Sequence, residues 1–177
     1  LPGDQPPPTL YEAEEAALTG GAGVDTEHAG YSGGGFVDNF GNEGAAVTFD
    51  VETTKAGPHD VGLRYSNGPN PAPGTKTISV HVNGTKVRQT KLASTTDWKT
   101  WATKNEQLEL KAGRNTITYS YDSGDTGHVN LDMIAVHPKG ARIPLFDGTD
   151  QASWQHPDGR SPEWPVSGGE MEIRNGD

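Results

Sequence analysis

The sequence predicts an all-β protein, a jelly-roll β-sandwich built from two antiparallel sheets. Three observations carry that expectation. Gly 24 and Pro 13 make up about a fifth of the 177 residues, which suits short strands joined by tight turns. Between residues 10 and 137, about eight or nine β-rich runs are punctuated by Gly, Asn and Asp, and this is the strand density of two packed sheets. No apolar stripe of helical period is long enough to compete with those runs.

In chain order, residues 1–9 contain four prolines and little to bury, so they read as an extended linker. Strands are predicted at 45–51, 59–66, 76–82, 86–92, 107–111, 114–121 and 129–137. In Ile78-Ser79-Val80-His81-Val82 the apolar side chains share one face, as do the odd positions of 117–121. Asn83-Gly84 falls between two runs and predicts a type I′ hairpin, because both central residues of that turn need positive φ. Lys111-Ala112-Gly113-Arg114 predicts a second hairpin. The expected core is Val47, Phe49, Val61, Leu63, Tyr65, Ile78, Val80, Val82, Leu108, Leu110, Ile117, Tyr119, Leu131, Met133 and Ile134. One folded module at 10–138 follows from the length, with 139–177 as a linker and the unfinished start of a second domain.

Charge narrows the partners. Asp+Glu 24 against Lys+Arg 14 gives a net charge of −10, the wrong sign for nucleic acid or anionic lipid. Divalent cations are the natural counterpart. If the ligand itself carries a carboxylate, a bound cation must reverse the local potential. No run approaches ~20 apolar residues, so no membrane span is expected. The chain opens at Leu1 without Met or a signal-like stretch and reads as a mature or trimmed chain. With Cys 0 there is no disulfide framework, and export then calls for another cross-link, such as calcium.

Tyr11-Glu12-Ala13-Glu14 carries the first chemical signal. On a strand Glu12 and Glu14 point to one face, about 7 Å apart. In Asn130-Leu131-Asp132-Met133-Ile134 a carboxylate sits within an apolar strand, where burying it unpaired is costly. First and last strands are often neighbours in a jelly roll, so Glu12, Glu14 and Asp132 can meet in the all-oxygen shell calcium prefers. Spacing alone leaves a solvated edge strand equally open.

Five blocks follow one another along the chain: Tyr11-Glu12-Ala13-Glu14, Gly30-Tyr31-Ser32-Gly33-Gly34-Gly35-Phe36-Val37, Arg64-Tyr65-Ser66-Asn67-Gly68, Trp98-Lys99-Thr100-Trp101 and His128-Val129-Asn130-Leu131-Asp132-Met133-Ile134. Their order resembles carbohydrate-binding module family 35, and family 6 shares most of it. The likeness covers residues 10–136. It implies a jelly roll with a structural calcium on Glu12, Glu14 and Asp132, and a sugar site in the loops at one edge. The aromatic platform and late Asn of that site match Trp98 and Asn130, with Tyr31 and Asn67 nearby and Asp125 in the bordering turn. It also implies a secreted, non-catalytic module, monomeric within a larger enzyme, that targets plant cell-wall or other acidic polysaccharide.

An indole stacks on the axial C–H face of a pyranose while an amide reads hydroxyls at the rim, which suits Trp98 and Asn130. Trp101 cannot share the strand face of Trp98, so one ring is expected buried and the other exposed, with Trp98 outside. Some members of the resembled family bind glucuronic or unsaturated galacturonic acid through a second calcium, and Asp25 and Glu27 are the matching carboxylates. Others bind galactosides or mannans.

Two rivals remain in view. A small glycosidase or lyase needs two carboxylates about 5 to 9.5 Å apart across a cleft. Glu14 and Glu15 fail by pointing to opposite sides of a strand, whereas Asp122 and Asp125 stay open on sequence grounds. An adhesive domain whose calcium serves stability alone is the other. Finally, Pro144-Leu145-Phe146-Asp147-Gly148-Thr149-Asp150 with Trp154, Trp164 and Gly168-Gly169-Glu170-Met171 resembles the opening of the keto-disaccharide hydrolases.

Overall fold

The computed structural model describes residues 7–138 in full, together with the backbone of two short strands near the C-terminus. The unit spanning Pro6–Lys139 contains two antiparallel sheets. Its strands are β1 Thr9–Glu12, β2 Ala17–Thr19, β3 Gly23–Asp25, β4 Phe36–Asp38, β5 Ala46–Thr53, β6 Gly57–Ser66, β7 Lys76–Val82, β8 Thr85–Leu92, β9 Ala102–Leu110, β10 Gly113–Ser120 and β11 Asn130–Pro138. One sheet runs β3-β4-β11-β6-β9, with β1 also paired to β11; the other runs β2-β5-β10-β7-β8. First and last strands are therefore neighbours, with Thr9 opposite Val136 and Glu12 opposite Met133.

Alternation explains why these strands hold. Val47, Phe49 and Val51 on β5 face Ile117 and Tyr119 on β10, and Ile78, Val80 and Val82 on β7 join them from the other side. Phe49 and Tyr119 meet edge to face at 6.2 Å. Val61, Leu63 and Tyr65 on β6 complete one core with Leu108, Leu110, Ile134 and Val136. Each such side chain removed from water contributes about 1.5–3 kcal/mol.

Several expectations are corrected. Met133 is only half-buried, because a bulge between Leu131 and Met133 puts both Leu131 and Asp132 in the fully buried set. Glu12 and Glu14 do not share a strand: β1 stops at Glu12, and a 3₁₀ turn, Ala13–Glu15, sinks Ala13 completely. Asn83 and Gly84 have φ of 50° and 82° and join β7 to β8 as predicted. Lys111 to Arg114 is no hairpin, since β9 pairs with β6 while β10 pairs with β5 and β7. The Asn115 amide clamps this crossing, donating to the carbonyls of Lys111 at 2.7 Å and Gly113 at 3.0 Å. Strand β9 begins five residues earlier than predicted because its first half is polar and lies at a sheet edge.

Strands β12 Val166–Ser167 and β13 Glu170–Met171 form a two-residue antiparallel ladder. The strand predicted from Glu170 is met at its first two residues. The rest of the reading of 139–177, Trp154 and Trp164 included, lies outside the described residues.

Candidate functional site

A cavity of about 460 Å³ opens where the loops after β3, β4, β6 and β8 meet the start of β11. Trp98, Asn130, Asn70 and His128 line one part of it, and Asp25, Glu27 and Asp38 another. Asn130 stands at the first position of β11 opposite Ser66, so the sheet fixes its direction. Among the described residues no group hydrogen-bonds its side-chain amide, which leaves donors and acceptor for a ligand.

Trp98 is half-buried, and so is Trp101; neither is fully inside or outside. Trp98 rests directly on the chain at Gly68, where a Cβ would come within 2.5 Å of the indole Cδ2 and Cε2. The His28 ring lies parallel to Trp98 with centroids 6.1 Å apart. Trp101 has a different task. Its indole N–H donates to the Ala29 carbonyl at 3.0 Å, and its ring packs on Phe36 at 5.5 Å and beside the Arg64 guanidinium. It anchors residues 29–31 rather than facing the cavity.

The acidic part is built by local backbone capping. One carboxylate oxygen of Asp25 accepts the N–H groups of Thr26 and Glu27, and these bonds lower its pKa below the ordinary carboxylate value. Burial, and next the adjacent Asp25 carboxylate, push Asp38 in the opposite direction. The two neighbouring acids are driven apart by unlike surroundings, backbone N–H groups at Asp25 and burial at Asp38. Asp38, His28 and His128 were missed in the sequence. No local sequence signal marks them; only the fold shows that His128 and Asn39 take φ of 55° and 60° and that the His128 N–H donates to the Phe40 carbonyl beside Asn39.

Three expected sugar contacts are elsewhere. Asn67 is completely buried, and its amide donates to the carbonyls of Gly74 and Leu92, both at 2.9 Å, so it ties loops together. Asp125 is 8% exposed and accepts from Ser79 at 2.6 Å, Gln89 at 2.6 Å and the Asp122 N–H at 3.0 Å. Tyr31 packs its ring on Phe36 at 5.7 Å and does not line the cavity.

The Asp122–Asp125 pair is a turn lock, not a pair poised across a cleft. Burial alone would raise Asp122, but hydrogen bonds from Ser120, His81 and Lys86 together hold it at about 2. A folded value below the unfolded one gives stability that is full above about pH 4 and is lost as pH falls through about 2. Denaturant unfolding at pH 5 and pH 2.5 should therefore show Asp122→Asn losing less than the parent on acidification, by on the order of 1 kcal/mol after solvent screening. Parallel losses would refute this lock.

The other carboxylate set gathers around the second half of the β3–β4 connection, residues 32–34. The Ser32 hydroxyl donates to Glu12 at 2.7 Å, the Ser32 N–H to Asp132 at 2.9 Å, and the Gly34 N–H to Glu14 at 2.6 Å. Gly33 lies so close that a Cβ would fall 2.3 Å from the Glu14 Oε1, and its φ of 61° admits Gly readily. Burial raises the Glu12 pKa against the Ser32 hydrogen bond, and Glu14 and Asp132 add to the rise. The Glu14 Oε2 is buried with no hydrogen-bond partner. An all-oxygen set with surplus negative charge and one orphaned oxygen suits a hard divalent cation. Against it, Arg64 already pairs with Asp132, and among the described residues no three acidic or His side chains stand together at metal-ligand spacing. The donor chemistry fits calcium; the Arg64 pairing must loosen for all three to share one ion.

The model of the carbohydrate binding module family 35 matches residues 9–139. The chain belongs to that family. The module is 47% identical over 133 residues to the 1,6-alpha-glucosyltransferase of Sporosarcina globispora, a match covering 71% of this chain and 10% of that protein. It is 35% identical to a cycloisomaltooligosaccharide glucanotransferase of Niallia circulans, covering 72% of this chain and 13% of that one. The chain thus spans only about a tenth of these curated relatives. Among solved structures, a family 35 module from Clostridium thermocellum superposes with a TM-score of 0.67 at 28% identity, covering 73% of this chain and 96% of that one. The family 35 module from Paenibacillus barcinonensis gives 0.66 at 31% identity, covering 74% and 99%. These neighbours agree with the β-sandwich of two antiparallel sheets, and the fold is that of a carbohydrate-binding module.

Proposed function

We propose that this module holds a neutral glucosyl residue of an isomalto-type glucan in the cavity beside Trp98, and so tethers an appended enzyme to that polysaccharide. The observation that carries the reading is one concavity shared by the Trp98 indole, the unpaired Asn130 amide and three carboxylates. The indole offers a flat apolar surface to pyranose C–H groups. The amide and the carboxylates of Asp25, Glu27 and Asp38 can take the hydroxyl protons, and the same negative wall disfavours a sugar carboxylate. Relatives named 1,6-alpha-glucosyltransferase and isomaltosyltransferase, at 47% and 40% identity, support a glucan ligand. Binding of this kind adds local concentration rather than chemistry. The longer relatives carry enzyme names, which supports an enzyme as the appended partner; a monomer outside the cell completes the proposal.

A uronic acid is the second reading, favoured by the three carboxylates of Asp25, Glu27 and Asp38 on one cavity wall, where burial and then Asp25 raise Asp38. Asp25, Glu27 and Asp38 would hold a calcium ion, which would supply the positive charge a glucuronate or galacturonate needs. Calorimetric titration with isomaltotriose, glucuronic acid, galactose and mannotriose, each with calcium and with chelator, separates the readings. Heat with isomaltotriose that survives chelation is expected. Calcium-dependent heat with glucuronic acid alone would replace it by the uronate reading, and heat with galactose or mannotriose alone by the galactoside or mannan alternatives.

We also assign Glu12, Glu14 and Asp132 to a structural calcium, which would supply an electrostatic cross-link between the 3₁₀ turn, the Ser32 loop and β11. The orphaned Glu14 oxygen supports this. Calcium at about a hundredfold excess over its Kd should raise the Tm by roughly 5 to 10 °C. An unchanged Tm between calcium and chelator would remove the metal from this assignment.

A further inference from the structure

Lys76, the first residue of β7, is 4% exposed, and among the described residues no carboxylate pairs with it. Its ammonium instead donates to three backbone carbonyls: Gly68 at 2.8 Å, Asn70 at 2.8 Å and His128 at 3.0 Å. An ammonium has three N–H donors, so its capacity is filled. The same nitrogen lies 4.9 Å from the centre of the Trp98 ring.

Each of these partners lines the sugar cavity or touches a residue that does, while Lys76 itself does not line it. Gly68 is the contact on which Trp98 rests. Asn70 and His128 line the cavity directly, and His128 leads through Val129 into Asn130. Resting on the glucan reading above, we infer that Lys76 is the positioning residue of the sugar site: a buried internal cation that locks residues 68–70 and 128 and the Trp98 ring into one rigid wall.

Burying an unpaired charge is expensive, and an apolar side chain on β7 would serve the core better. What the ammonium supplies is a single centre that three loop carbonyls can share, where loops alone would leave a site too loose to grip a ligand. The acidic part of the cavity has no such tie to Lys76. The charge therefore orders the wall that carries Trp98 and Asn130 and leaves the acidic wall of Asp25, Glu27 and Asp38 untouched.

The test compares the parent, Lys76→Met, which keeps the stem and removes the charge, Lys76→Arg, and Val51→Ala as a core variant opposite Asn115 and outside the cavity. Each is titrated with isomaltotriose, and the ligand-free indole and amide NMR spectra are recorded. Lys76→Met should lose at least tenfold in affinity, with shifts and exchange broadening confined to Trp98, residues 68–70 and 128–130. Lys76→Arg should recover part of the affinity, and Val51→Ala should bind like the parent even if it melts as low as Lys76→Met. Affinity of Lys76→Met within twofold of the parent, or shifts spread evenly over both sheets, would overturn the inference. If the parent binds no isomaltotriose, the glucan reading falls, while the ligand-free spectra still decide whether Lys76 orders the wall.

Discussion

Replacing Trp98 by Ala should weaken glycan binding by about 30-fold or more while leaving the fold intact. The size follows from the position of the ring: a large aromatic face at the centre of a binding surface is worth about 2 kcal/mol or more when truncated. The fold should survive because Trp98 is half-buried and stands outside the main core cluster. Gly68→Ala is the sharper companion. It keeps every binding group, yet its new Cβ would lie 2.5 Å from two indole atoms and 2.6 Å from a third, so the ring must move. Both variants are read by calorimetry against isomaltotriose and by thermal unfolding. Parent-like affinity in both would remove Trp98 from the site and favour an adhesive domain that recognises protein.

The second large effect concerns stability. Asp132 is fully buried and joins the Arg64 guanidinium on β6 to the Ser32 loop. Asp132→Ala leaves the Arg64 guanidinium, itself 28% exposed, and a backbone N–H without their acceptor, and losing a hydrogen bond to a charged group costs about 1.5–3 kcal/mol. For a unit of this size that lowers the Tm by roughly 5 to 10 °C. The contrast is Asp50→Ala. Asp50 also pairs with an arginine, Arg114 at 2.8 Å, but the two side chains are 61% and 73% exposed, so the loss should stay within about 0.5 kcal/mol. Measured in chelator, the Asp132→Ala loss isolates the Arg64 and Ser32 contacts from any metal. A loss below about 1 kcal/mol there would show that this network contributes little on its own.

Much of this protein could be read from residue order. Clean alternation on β5, β6, β7 and β10 located the core strands, because a half-buried strand leaves a period-two trace that no tertiary contact is needed to see. Asn83-Gly84 named its hairpin for an equally local reason. Trp98, Asn130, Asp25 and Glu27 were marked as a sugar site and its neighbouring acids, and the fold brings these four to one cavity. Glu12, Glu14 and Asp132 do gather on residues 32–34, the two glutamates by way of a 3₁₀ turn and not of one strand face.

The failures share a cause. Asn67 and Asp125 are polar residues beside the expected site, and nothing local distinguishes an amide aimed at a ligand from one spent on Gly74 and Leu92. The short strands β2, β3 and β4, of three residues each, are too brief to show a period. Asp38 entered the site through β4 pairing with β3 and with β11.

Sequence alone thus determined the fold class and the family of the module, since alternation, turn residues and the order of short motifs are local features of the chain. Tertiary structure alone decided which polar groups remain free for a ligand and which are consumed inside. Whether Asn130 is open while Asn67 is closed, or Lys76 is buried against three carbonyls, depends on loop and strand partners that lie between 6 and 52 residues away along the chain and meet only when the sheets pack.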